Sequence, residues 1–171
     1  MHVVYLISVL LHILAAASWV GAMVFLMVVV VPMLRRDRAS GAAFLNASGP
    51  RLRNLGWVAF VVLLITGTFN LAHRGVGWSD FTNVAFLGST FGHAVVMKLT
   101  LFVVVLGLSA YHDFYLGPRA SAAMARAAQG EPVSPEETEK MRRKASLIGR
   151  ANALLALAIV ALAVVIVRGW I

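Results

Sequence analysis

Residues 91–119 read FGHAVVMKLTLFVVVLGLSAYHDFYLGPR, and this stretch decides the class of fold. Its apolar run is longer than the roughly 20 residues a helix needs to cross a bilayer. It also carries His93, Met97, Lys98 and His112, which a helix facing only lipid would not need. Ionisable residues inside a span usually face a bundle interior and mark a function. The other segments therefore matter for whether they can face these side chains and partner them.

Three further stretches are long and apolar enough to span, at about 3–33, 55–73 and 147–167, beside the one at about 91–115. The 171-residue chain is 60% hydrophobic and 13% charged, too apolar for a soluble domain. The expected architecture is all-α: an integral membrane four-helix bundle forming a single membrane domain over residues 1–171, with a cytoplasmic helical loop at about 118–146. The first span lacks a basic start, is too long for a signal-peptide core and ends in Arg35-Arg36-Asp37-Arg38, so it is read as a retained anchor.

The formal charge of +8 is not spread evenly. Arg35, Arg36, Arg38, Arg51 and Arg53 lie between the first two spans, and Arg119, Arg126, Lys140, Arg142, Arg143, Lys144 and Arg150 between the last two. The middle connection carries only Arg74 and Asp80. This positive-inside distribution puts both termini outside and the basic loops in the cytoplasm, as in a multi-pass protein of a bacterial-type inner membrane. It also argues against nucleic acid as a partner. The lipid bilayer is the expected partner, and a redox partner, a larger membrane complex or a homo-oligomer is compatible with the sequence. The absence of cysteine excludes disulfides, thiolate metal sites and iron–sulfur clusters.

At 100° per residue, Tyr5, Ser8, His12, Trp19 and Met23 share one face of the first span. Small residues from Ala15 to Ala22 keep its middle slim, which lets a helix or a flat ligand approach. Residues 34–54, with Ser40-Gly41 and Ser48-Gly49-Pro50, read as a loop. In the second span Trp57 reads as an interfacial anchor, and Thr66, Asn70 and His73 share a face. Thr66 suits back-bonding to its own helix, and Asn70 an interhelical hydrogen bond. Residues 74–90 read as a loop with Trp78, Phe81 and Phe86 at the membrane surface or as a lid. After Gly117-Pro118 comes a short Ala-rich helix, a break at Gly130-Glu131-Pro132, and the capping box Ser134-Pro135-Glu136-Glu137, which starts the last helix. Glu136/Lys140 and Glu139/Arg143 are i,i+4 pairs on its surface. The helix runs past Asn152 and ends near Arg168 and Trp170.

A rise of 1.5 Å per residue places His12 roughly 13 Å and Lys98 roughly 12 Å below the outer boundary, with Thr66 near that level and His73, His93 and Asn70 above it. Met97 falls one turn beneath His93. His12, His73, His93, Met97 and Lys98 therefore read as one outer-half cluster, whereas His112 sits alone about 28 Å away along the helix from His93. It suits either a functional role or a solvated end residue paired with Asp113 or lipid phosphate.

Two metal chemistries suit the outer cluster. Haem b takes two neutral imidazoles from different helices, here His12 with His73 or His93, with Lys98 or Arg74 meeting the propionates. Copper suits a mixed imidazole–thioether set of His93 and Met97 with His12 or His73. A proton relay without metal is the third option, although no acidic residue lies within the spans to complete a carboxylate-based one.

The segments LHILAAASWVGAMVF, LLITGTFNLA and STFGHAVVMKLTLF resemble the copper-resistance D family of bacterial membrane proteins. That resemblance implies copper uptake, with His12, His93 and Met97 as the residues concerned. The end of the third span, KLTLFVVVLGLSAYHDFYLGPR, is also similar to the haem-b-containing membrane protoporphyrinogen oxidase. That enzyme's pattern falls here on His12 and Trp19 and on Lys98-Leu99…Tyr111-His112; its further histidine after the first span is missing where this chain reads VVVVPMLRR. The resemblances cover roughly residues 5–119. The leading expectation is a small haem-b membrane protein for electron transfer or porphyrin chemistry, with a haem-dependent oxidoreductase as its enzymatic form and with Trp19, Asn70, His73 and His112 also near cofactor. Copper handling is the alternative, and a cofactor-free accessory subunit of a larger membrane complex the third.

Overall fold

The structure, a computed structural model, describes residues 2–128 and 134–168. Among them there is no strand. The helices in chain order are α1 (His2–Phe25), α2 (Val31–Arg36), α3 (Arg38–His73), α4 (Val84–Leu87), α5 (Thr90–Tyr111), α6 (Gly117–Ala128) and α7 (Pro135–Arg168). Four stretches are long and apolar enough to cross a membrane: His2–Met33, Ala47–His73, Thr90–Arg119 and Glu139–Arg168. The chain is a multi-pass membrane protein. Its outward faces agree, because α1 leaves Val3, Leu6, Ile7, Leu10, Ile13 and Leu14 half or more exposed where only lipid makes exposure cheap.

Helices α1 and α3 pack closely along their length, as do α5 and α7, and α1 also touches α7. The two pairs are joined mainly by large side chains. Trp19 of α1, Ala59, Phe60 and Leu63 of α3, Val105 of α5 and Ala156 of α7 form the buried centre. Phe60 stands edge-on to Trp19 at 5.1 Å and to Phe102 at 5.9 Å between ring centres. Small residues on α1 and α7 let helices approach, and the aromatic rings fill the wider seam between α3 and α5. Trp19 is thus a wall of the core.

The helix ends follow local chemistry. α3 stops at a Schellman turn: Gly75 adopts φ +82° and the Val76 N–H reaches back to the Leu71 carbonyl. Asn83 caps α4 through the Ala85 N–H, and Ser89 caps α5 through the Gly92 N–H. Gly92 is needed there, since a Cβ would collide with the Phe86 carbonyl oxygen. Residues 74–90 are thereby more ordered than the loop reading suggested, with a 3₁₀ turn over Trp78–Thr82 and α4 after it.

The larger departure is at residues 38–54. These are not a loop but the first part of α3, which runs unbroken through Gly41, Gly49 and Pro50. Ser48 donates its hydroxyl to the Phe44 carbonyl one turn back, so the helix absorbs a residue that elsewhere would start a turn. The Ala-rich helix after Gly117-Pro118 is α6, and the last helix starts at Pro135 behind Ser134. Arg143 pairs with Glu139 at 3.0 Å. The break at Gly130-Glu131-Pro132 and Trp170 lie outside the described residues.

Spans one and three share a second feature. Each widens into one π-helical turn, at Leu26–Val30 and at His112–Leu116, two residues before a proline, Pro32 and Pro118. The Val31 N–H bonds to Leu26 and the Gly117 N–H to His112. A proline ring crowds the carbonyl four residues earlier, and the wider turn relieves that crowding. In the same register, 86 residues apart, Trp19 matches Val105 and His12 matches Lys98.

Candidate functional site

Polar residues on the α1–α3 interface form a ladder at the end of the bundle that carries the N-terminus. His12 Nδ1 lies 2.8 Å from Thr66 Oγ1. Thr66 in turn donates to the Val62 carbonyl at 2.6 Å. A hydroxyl has one proton, so Thr66 can only accept from His12. This assigns the imidazole proton to Nδ1 and leaves Nε2 with its lone pair free for a ligand. Thr66 therefore does both things open to a membrane threonine, back-bonding to its helix and partnering a neighbour. Gly67 makes room for the ring: a Cβ at that position would stand 3.3 Å from His12 Cε1. The sequence reading missed Gly67; its only signal is its place beside Thr66 in TGTFN.

One turn towards the N-terminus stand Ser8 on α1 and Asn70 on α3, whose Oγ and Oδ1 are buried with no hydrogen-bond partner. One turn beyond them Tyr5 stacks on His73, with ring centres 4.2 Å apart and planes 18° apart, and Phe69 lies alongside at 6.2 Å. His73 is thus held flat beside aromatic rings two turns from His12, roughly 10 Å along the axis.

Lys98 projects from α5 on the face that buries Ala94, Val95, Val105 and Ser109. It acts electrostatically on His12, and Arg74 acts on Lys98. Among the described residues no carboxylate is paired with either cation. His93 and Met97 point elsewhere. They line an open groove of ≈ 390 Å³ with Leu87, Val96, Thr100 and Leu101 on the outer side of α5. His93 Nδ1 donates to the Ser89 carbonyl at 3.0 Å, so its Nε2 is also free, and Met97 is 54% exposed. The outer-half residues thus form two places rather than one cluster, and no three of the described His, Asp and Glu side chains converge on a common point.

At the opposite end, which carries the arginine-rich connections, His112 Nδ1 lies 3.0 Å from Asp113 Oδ1. The other oxygen of Asp113 accepts from Trp57 Nε1 at 3.0 Å, tying α3 to the third span. Trp57 is therefore half-buried against a carboxylate. One turn deeper, Asn152 donates to Ser109 at 2.9 Å, and its Oδ1 is buried and unpartnered.

The sequence profile of the family described as "Copper resistance protein D" matches residues 46–166. That match contains His73, His93, Met97, Lys98 and His112, includes most of α7, and leaves His12 outside. An uncharacterized protein of Aquifex aeolicus (strain VF5) is 28% identical over 162 residues, covering 94% of this chain and 93% of that protein. No solved structure matches.

Proposed function

We propose, for a chain that belongs to the copper resistance protein D family, that it handles copper as cargo, taking the ion from the outer side of a bacterial inner membrane into the bundle. The orientation rests on the arginine-rich connections facing the cytoplasm. It makes the His93–Met97 groove the entry point, where an imidazole and a thioether one turn apart suit copper over harder cations. His12 receives the ion inside the bundle.

The observation that carries this reading is the Thr66–His12 contact. A metal-binding imidazole almost always donates its other N–H to a fixed acceptor, which holds the ring and exposes the ligating lone pair. Thr66 does this, and Gly67 keeps the ring face clear. The test is copper binding to the detergent-purified protein together with copper accumulation in cells. His12→Ala, and His93→Ala with Met97→Ala, are expected to lower both by 10-fold or more. Unchanged binding and accumulation in these variants would overturn the proposal.

The paired cations favour a second reading. Lys98 lies within electrostatic reach of His12, and Arg74 within reach of Lys98, without a carboxylate, as they would for a haem b whose propionates they meet. A haem clamped between His12 and His73 does not fit, because the two rings lie two turns apart and His73 is stacked on Tyr5. Among the described residues His12 is the imidazole that lies near Lys98 with Nε2 free, and bound haem would supply one-electron redox chemistry there. A Soret band that disappears in His12→Ala supports this reading, and its absence ends it. A protein that binds neither copper nor haem is better explained as an accessory subunit of a larger membrane complex.

A further inference from the structure

We infer that Ser8 and Asn70 hold a buried water molecule between α1 and α3, the middle rung of a polar path that joins the N-terminal end of the bundle to the His12–Thr66 pair. The site needs no metal, so it stands or falls apart from the copper reading.

Register places the two side chains opposite one another. Helices α1 and α3 run antiparallel and are pinned at two contacts: His12 Nδ1 lies 2.8 Å from Thr66 Oγ1, and the Tyr5 and His73 rings stack with centres 4.2 Å apart. On α1, Ser8 stands three residues after Tyr5 and four before His12; on α3, Asn70 stands three before His73 and four after Thr66. The matched spacing puts Ser8 and Asn70 on one rung, with a contact on either side of it. Ser8 is 8% exposed, and Ser8 Oγ and Asn70 Oδ1 are both buried. Neither has a hydrogen-bond partner, so they do not bond each other.

Ser8 is the more telling of the two. Ser48, Thr66, Thr68 and Thr100 each donate to the carbonyl four residues back, the usual outlet for a hydroxyl in an apolar helix. Ser8 does not, and its hydroxyl is uncommitted. Asn70 has no such outlet, and exchanging its amide oxygen and nitrogen would put a donor in the same unpartnered place. Two buried polar atoms that face each other without meeting carry a cost that one bridging molecule removes. Neither side chain is charged, so the ligand that suits them is neutral. Water can donate to Asn70 Oδ1 and accept from Ser8 Oγ.

Spacing along the helices makes the rung part of a path. A rise of 1.5 Å per residue puts it about 4.5 Å from Tyr5–His73 and about 6 Å from His12–Thr66. A water bridging two polar atoms spans about 5.5 Å. His73 ends both α3 and its apolar span, with Arg74 next, so the first rung lies where the span meets the boundary. Beyond Thr66 the seam turns to Leu63, Phe60 and Trp19, and the path stops at His12.

The test is water-edited solid-state NMR of the full chain in lipid bilayers. Water magnetisation is expected to reach Ser8 Cβ in the wild type and to fall about tenfold in Asn70→Leu, which removes one of the water's two partners. In the same variant the His12 Nδ1–H is expected to exchange with solvent about tenfold more slowly, with its bond to Thr66 kept. Thr68→Val, which deletes an exposed hydroxyl already bonded to Leu64, is expected to change neither signal. No water signal at Ser8 in the wild type overturns the site, its hydroxyl then bonding the Val4 carbonyl. A signal that survives Asn70→Leu overturns it too, because Asn70 is then not its second wall. A lost signal with unchanged His12 exchange overturns the path. Should Asn70→Leu fail to purify, Ser8→Ala decides: His12 exchange that slows about tenfold supports the inference, and unchanged exchange overturns it.

Discussion

At the N-terminal end of the bundle His12 gives its Nδ1 proton to a threonine hydroxyl on a neighbouring helix. At the arginine-rich end His112 gives the same proton to the carboxylate next to it in the chain. The first imidazole is positioned by helix packing, because Thr66 reaches it only if α1 and α3 keep their register and Gly67 keeps its face open. The second is positioned within its own helix, and packing enters only through Trp57. The contrast teaches that one ring tautomer can be secured in two ways that respond differently to mutation. Disturbing the helix interface should damage the first end and spare the second, and changing charge should do the reverse.

The largest expected effect removes the separation between the ends. Phe60 touches Trp19, Trp57 and Phe102 and fills the centre. Phe60→Ala is expected to cost about 3 kcal/mol through the cavity it leaves, read as a loss of thermal stability in detergent, and to weaken both ends together. Thr66→Val comes next. It keeps the shape but removes the acceptor, and is expected to lower copper affinity at His12 by about 10–100-fold while leaving the environment of His112, followed by ¹⁵N NMR, unchanged. Trp57→Phe is the mirror experiment: loss of a hydrogen bond to a carboxylate is expected to cost about 1.5–3 kcal/mol, and the His112 signal should move while that of His12 stays. The smallest effect is expected from Gly67→Ala, whose methyl would stand 3.3 Å from the His12 ring. A shift of a few tenths of an ångström absorbs it, so a drop in His12 affinity of roughly threefold is the expected outcome, and no change at all would show that the open ring face is immaterial.

Much of the fold was legible in the sequence because lipid imposes it. Four apolar runs, the Ser134–Pro135 helix start and the shared face of Ser8, His12 and Trp19 follow from length and period alone. Residues 38–54 were not legible, because Ser48, Gly49 and Pro50 carry turn chemistry that the helix accommodates through the Ser48–Phe44 bond. The site was legible in depth but not in direction. His12 and His93 lie in the same half of the bundle, yet one faces α3 and the other an open groove. Which way a residue turns around the helix axis is decided by which neighbours bury Ala94, Val95 and Val105, and that information lies in packing. The Thr66 proton was hidden for a similar reason, since back-bonding and partnering are exclusive for the donor but not for the oxygen.

The matched proline turns of spans one and three have a consequence for chemistry. With Pro32 aligned to Pro118 and Trp19 to Val105, spans one and three repeat one another in register, and the position that holds His12 in one holds Lys98 in the other. The two spans are alike in their turns and prolines; their polar residues differ. An imidazole and an amine thus occupy equivalent positions on the two spans, so the bundle differs from side to side as well as from end to end.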